Sequence, residues 1–111
     1  MKFKVTKNGR NTILKLGVKK LDSTVTPELK AEFLILCKPA VTLKLIVDLE
    51  SVEFCDSSGL SALLIADRTM REHGGSVILV HVNKKVMDLM SISQLDRVFT
   101  IEKKLSDALK T

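Results

Sequence analysis

Polar and apolar residues alternate through Phe3-Lys4-Val5-Thr6 and again through Thr12-Ile13-Leu14-Lys15-Leu16. That period of two marks half-buried strands. Asn8-Gly9 lies between them and favours a tight hairpin, so the first strand pair is expected to be antiparallel. Leu21 to Pro27 reads as a loop. Thr26 before Pro27 predicts an N-cap followed by proline at the first helical position. Leu29, Phe33 and Leu36 then share one helix face, and Pro39 ends the helix. Leu43-Lys44-Leu45-Ile46-Val47 predicts a central strand. A helix from about Ser57 to Glu72 follows, stopped by Gly74-Gly75. Val77 to Val80 is a second continuous apolar strand, Lys84 to Met90 a short helix on Val86, Leu89 and Met90, and Val98 to Ile101 a last strand. Ser106 to Leu109 closes the chain as a short helix. Strands alternating with helices predict an α/β fold. Its mostly parallel, mixed sheet would have about five strands and about four helices.

Bulk properties narrow this picture. The 111 residues, 45% of them apolar, predict one domain spanning 1–111 with a real core. Aromatics are only 4%, so Leu, Val, Ile and Met must build that core. No apolar run reaches the length of a membrane span. The alternating start, Met1 to Lys7, lacks the continuous apolar segment of a signal peptide, and a cytoplasmic location is expected. Cys37 and Cys55 are the only cysteines, without CxxC or zinc-site spacing. They read as small buried hydrophobes, and no metal or cofactor is expected.

The net charge is +5, and seven of the 18 basic residues fall within the first 20 positions. They alternate along expected strands without Tyr or Trp beside them. Solvated strand faces that discourage edge pairing explain them better than a nucleic-acid footprint, which needs clustering and stacking aromatics. No direct nucleic-acid partner is expected; an acidic protein partner is compatible with the charge.

Candidate chemistry concentrates in Val47 to Ser61, which reads as strand, loop and helix start. Asp56, Ser57 and Ser58 stand in a row where the helix begins. One cap needs one such residue, so capping leaves a hydroxyl or two over. At a helix N-terminus a phosphate is electrostatically welcome. In a parallel α/β sheet, ligands gather beyond the carboxyl ends of the strands. Two loops leave such ends, Gly17 to Pro27 and Glu50 to Gly59, and if their strands are neighbours they form one surface. Asp22 reads either as an Asx-turn residue or as part of that surface. Gly59 lets another backbone approach closely. The helix from Ser57 has a wide apolar arc through Leu60, Ala62, Leu63, Leu64, Ile65, Ala66 and Met70. Either a second helix or a partner protein would cover it.

Enzyme readings find little support. G-x-S-x-G, the P-loop and H-E-x-x-H motifs are missing from the sequence. Nothing brings Ser58, His81 and an aspartate together as a triad. The first strands end without the acid pair of a phosphoaspartate receiver, although Asp48 and Asp56 lie near strand ends.

Asp48-Leu49, Val52, Phe54 and Asp56-Ser57-Ser58-Gly59-Leu60 resemble the signature of the STAS domain, named for sulphate transporters and anti-sigma-factor antagonists. The likeness continues through Leu21-Asp22-Ser23-Thr24 with Pro27-Glu28-Leu29, through Gly74 to Val80, and through Leu95 to Phe99. Ser61 stands where the family often has glycine, and Cys55 where an apolar residue is common. The resemblance implies a small STAS-like fold and a stand-alone anti-sigma-factor antagonist. Unmodified, such a protein would bind an anti-sigma factor that is also a serine kinase of the histidine-kinase-like ATPase type, freeing the sigma factor. The kinase, with its own ATP and Mg²⁺, would phosphorylate Ser58, with Ser57 as fallback, and abolish binding. A serine phosphatase would reset the switch. Asp22, Ser23, Thr24, Asp56, Ser57, Ser58, Gly59, Leu60 and Ser61 are the implied partner-binding residues. The alternative is a constitutive docking or scaffold module in a non-sigma complex, binding a nucleotide or lipid; a small hydrolase is the third reading.

Overall fold

The structure, a computed structural model, describes residues 2–38 and 41–110. Pro39, expected to end the first helix, lies outside them. The elements run β1 (Phe3–Asn8), β2 (Asn11–Leu16), β3 (Lys20–Leu21), α1 (Thr26–Leu36), β4 (Lys44–Asp48), β5 (Phe54–Cys55), α2 (Ser57–Glu72), β6 (Ser76–Val80), α3 (Lys84–Ile92), a 3-10 turn (Leu95–Arg97), β7 (Thr100–Glu102) and α4 (Leu105–Lys110).

The main sheet has the order β1-β2-β4-β6-β7. β1 and β2 are antiparallel, and the other neighbours are parallel. This is the mixed α/β architecture expected from the pattern. Successive side chains on a strand face opposite ways, so each central strand serves two layers. Leu14, Leu16, Leu45, Val47, Val77 and Leu79 join Leu29, Phe33, Leu63, Met70, Val86 and Met90 from α1, α2 and α3 in the larger core. Ile46, Ile78 and Val80 face the other way and are covered by Ala108, with Ile13 and Leu105 packed beside them. α4 therefore closes the second face, which is why β4 and β6 read as continuously apolar. Burying each such aliphatic side chain contributes about 1.5–3 kcal/mol.

Three of the boundaries that moved have a local reason. Asn8 pairs with Asn11 across the hairpin, so the turn is Gly9-Arg10 rather than Asn8-Gly9, with Gly9 supplying φ +64°. Thr26 is the first helical residue of α1 rather than its cap; Val25 occupies the cap position in a helical conformation. The carbonyl of Asp22 accepts from the amides of both Val25 and Thr26 at 3.0 Å, so the preceding turn already coils. β7 starts at Thr100 because the amides of Val98 and Phe99, just past the 3-10 turn, donate to the Leu95 carbonyl, each at 3.0 Å. Among the described residues, no helix is long and apolar enough to cross a membrane.

Candidate functional site

β2 and β4 are parallel neighbours, so the two loops leaving their carboxyl ends emerge side by side. A second, two-stranded parallel ladder joins them further: Lys20 pairs with Phe54 and Leu21 with Cys55. The Lys19 carbonyl takes the amides of Glu53 (2.8 Å) and Phe54 (3.1 Å), and the Leu21 carbonyl takes that of Asp56 (3.3 Å). Asp22 and Asp56 follow directly after the paired residues, so the two loops form one surface. Strands of two residues have no period to detect, and the sequence does not predict this ladder.

Asp56 caps α2. Its backbone is extended, and its Oδ1 accepts from the amides of Ser58 (2.9 Å) and Gly59 (3.1 Å). Ser58 Oγ donates to the same oxygen at 2.6 Å. This hydroxyl bond, with the Gly59 amide next, holds the Asp56 carboxyl below the usual carboxylate range. Asp56 is thus ionised, and it orients the Ser58 hydroxyl. Ser58 is half-buried, whereas Ser57 is exposed. The exposed Ser61 lies one helical turn beyond Ser57, so three hydroxyls gather at this helix end.

On the neighbouring loop, Asp22 Oδ1 accepts from the Thr24 amide at 3.0 Å and from Thr24 Oγ1 at 2.5 Å. This is an Asx-turn, and it leaves Ser23 and Thr24 exposed. Gly59 and Leu60 are buried. The backbone that Gly59 admits is the chain's own: a β-carbon there would sit 2.5 Å from the Leu21 carbonyl oxygen and 2.7 Å from Cys55 Sγ.

Cys55 and Cys37 are buried free thiols. Burial, with the Asp56 charge adding to it, pushes the Cys55 thiol up to about 12; burial alone pushes Cys37 up to about 11. His81 is not part of this loop pair. Its Nδ1 lies 2.9 Å from Asp48 Oδ1, while the Ser58 hydroxyl is engaged by Asp56, so Ser58, His81 and an aspartate form no triad.

One flank escaped the sequence. Phe54 remains 41% exposed and Ile92, on α3, 82% exposed. With Cys55, Lys85, Val86 and Leu89 they line a shallow groove beside the loops, and Lys85 Nζ stands 5.9 Å from the Phe54 ring centroid. The available signal was Ile92 falling off the face set by the buried Val86 and Met90.

The chain's likeness to known proteins lies in its family and its fold. The STAS domain family model matches residues 2–108. An anti-sigma-factor antagonist (STAS) domain protein from Planctomyces limnophilus superposes with TM-score 0.86 at 24% identity, over 96% of this chain and 93% of that one. An anti-sigma factor antagonist from Mycobacterium paratuberculosis gives 0.84 at 21% identity, over 97% and 90%. The antagonist SpoIIAA, a Bacillus cell-fate determinant, gives 0.81 at 20% identity over 96% and 92% in its unphosphorylated form. In its phosphorylated form it gives 0.74 at 19% identity over 97% and 96%.

Proposed function

This chain belongs to the STAS domain family, and on that footing we propose that it is an anti-sigma-factor antagonist switched by phosphorylation of Ser58. The observation that carries the reading is the 2.6 Å bond from Ser58 Oγ to Asp56 Oδ1 at the start of α2. It presents a half-buried hydroxyl in one fixed orientation on a surface shared with the Asp22 loop. Ser57, more exposed, has no such bond among the described residues. The solved structures of SpoIIAA in unphosphorylated and phosphorylated forms lend support, since that relative of similar fold exists in both states.

In the proposed cycle the unmodified protein binds an anti-sigma factor that is also a serine kinase of the histidine-kinase-like ATPase type. The sigma factor is thereby freed. The kinase brings its own ATP and Mg²⁺. Ser58 Oγ bonds to the γ-phosphorus as the bond from that phosphorus to the β,γ-bridging oxygen breaks, ADP leaves, and the hydroxyl proton is released to water. Because the Asp56 carboxyl is held below its ordinary range, it orients the hydroxyl rather than keeping that proton. A serine phosphatase reverses the modification.

The phosphate acts through charge. It adds about −1.5 to −2 units at neutral pH, beside the ionised Asp56 and near Asp22. The helix N-terminus tolerates such charge within the fold, so the effect falls on the interface. Wrong charge juxtaposition costs several kcal/mol, and about 1.4 kcal/mol is tenfold in affinity. Binding falls by two or more orders of magnitude without a change of shape.

Affinity capture from the native lysate tests this with wild-type, Ser58→Ala and Ser58→Asp baits, read by mass spectrometry. A kinase-like protein held by the first two and lost by the third is the expected result. Identical partners on all three baits would make Ser58 structural and the module a constitutive scaffold.

A further inference from the structure

Away from the switch loops, α1 and α2 leave an apolar groove between them. Phe33, Leu34 and Cys37 from the α1 side and Ile65 and Thr69 from α2 line it, with Lys30 and Lys38. Its volume is about 450 Å³, room for several aliphatic side chains. Phe33 and Leu36 point into the core, but Leu34 is 75% exposed, the adjacent Ile35 59% and Ile65 39%. A run of four apolar residues, Phe33 to Leu36, wraps the end of α1 on all sides, a pattern expected of a helix covered on more than one face.

Charge selects the occupant. Every charged residue lining the groove is a lysine, and among the described residues neither Lys30 nor Lys38 is in an ion pair. Leu34 stands midway between them in sequence. A second copy docking the same face by two-fold symmetry would bring these lysines towards their own equivalents, and like charges oppose that association. A partner with apolar residues flanked by carboxylates satisfies both features, and a cleft between two helices is the shape that receives an amphipathic helix. We propose that the α1–α2 groove is a second protein-docking surface, one that receives an acidic amphipathic helix of a partner protein. It begins one helical turn beyond Ser61, at Ile65, and its occupancy is independent of Ser58 phosphorylation.

The probe is a fluorescein-labelled amphipathic peptide with leucines at i, i+3, i+4 and i+7 and glutamates on both flanks, followed by anisotropy and by amide chemical shifts of the labelled protein. Its control replaces the glutamates with lysines. The expected result is binding of the acidic peptide alone, with shifts on α1 and α2. The double variant Lys30→Glu/Lys38→Glu should weaken it by about tenfold or more and should bind the lysine-flanked control instead. Leu34→Ser, at an exposed position that leaves the fold intact, should also abolish binding, and Ser58→Asp should leave it unchanged. Equal affinity for both peptides, or shifts mapping elsewhere, would overturn the proposal. So would self-association in sedimentation that Leu34→Ser removes, which would make the occupant a second copy. Co-sedimentation with phosphatidylglycerol vesicles lost in the same variant would overturn it too, in favour of a lipid surface.

Discussion

Gly59 lies so close to Leu21 that a β-carbon at position 59 would stand 2.5 Å from the Leu21 carbonyl oxygen. This contact binds the start of α2 to the short β3 strand, and thereby the Ser58 loop to the Asp22 loop. Gly59→Ala must push the two apart, since backbone cannot yield as a side chain can. We expect a loss of about 1–3 kcal/mol in unfolding free energy, read by urea titration, with amide shift changes in residues 20–24 as well as 55–60. A loss confined to α2 would show that the two loops are not mechanically joined.

Asp56 gives the site a pH dependence. Its carboxyl is held below the usual range, chiefly by the Ser58 hydroxyl and then by the Gly59 amide. A carboxyl depressed in the fold contributes stability above its unfolded value, and that stability disappears as pH falls through the folded value. Asp56→Asn should therefore flatten the acid limb of the stability profile while costing little at low pH. Thermal unfolding of both proteins between neutral and strongly acidic pH measures this. Parallel profiles would show that the carboxylate's charge contributes nothing.

Phosphorylation should act on the same group. Esterified Ser58 no longer donates its hydroxyl to Asp56, and a phosphodianion takes the place of that bond. Both changes disfavour the carboxylate, so the Asp56 carboxyl should titrate at higher pH in the phosphoprotein than in the unmodified form. Carboxyl carbon shifts followed through an NMR titration read this directly. An unchanged midpoint would mean that the phosphate swings clear of the cap.

The two thiols should be inert. With Cys55 pushed up to about 12 and Cys37 to about 11, neither forms appreciable thiolate near pH 8, and thiolate is the reactive form. Alkylation by iodoacetamide should be slow in the native protein and rapid at both sites in denaturant. Fast native labelling at one cysteine would reveal local opening around it.

His81 occupies the left-handed region, φ 56°, and its ring meets the buried Asp48, whose Oδ1 also takes the Glu50 amide at 3.0 Å. Among non-glycine residues, histidine and asparagine tolerate this backbone comparatively well. His81→Ala combines an ill-suited backbone with a lost hydrogen-bond partner, and we expect about 1–3 kcal/mol of destabilisation. His81→Asn should cost less. The reverse order in chemical denaturation would count against the conformational argument.

The chain's own pattern determined the class of fold, the antiparallel start, the bounds of α2 and the Asp56 cap. Each depends on neighbours within a few residues: apolar spacing, a glycine at the hairpin turn, carboxylate and hydroxyl where a helix begins, Gly74-Gly75 where it stops. Phe33 and Leu36 of α1 were legible for the same reason, since helical spacing alone puts them on one face.

Tertiary structure decided what depends on residues far apart in the chain. The β3–β5 ladder joins Leu21 to Cys55, and its two-residue strands have too little length to show a period. Gly59 read as room for another backbone, but only the packed fold supplies Leu21 as the backbone that fills it. Exposure was decided in the same way. Leu34, Ile65 and Ile92 look like core residues by type, yet whether a neighbouring element reaches them depends on where α1, α2 and α3 settle on the sheet. Local chemistry could thus mark Ser58 as a candidate, while the surface around it arises from non-local packing that no short stretch of sequence encodes.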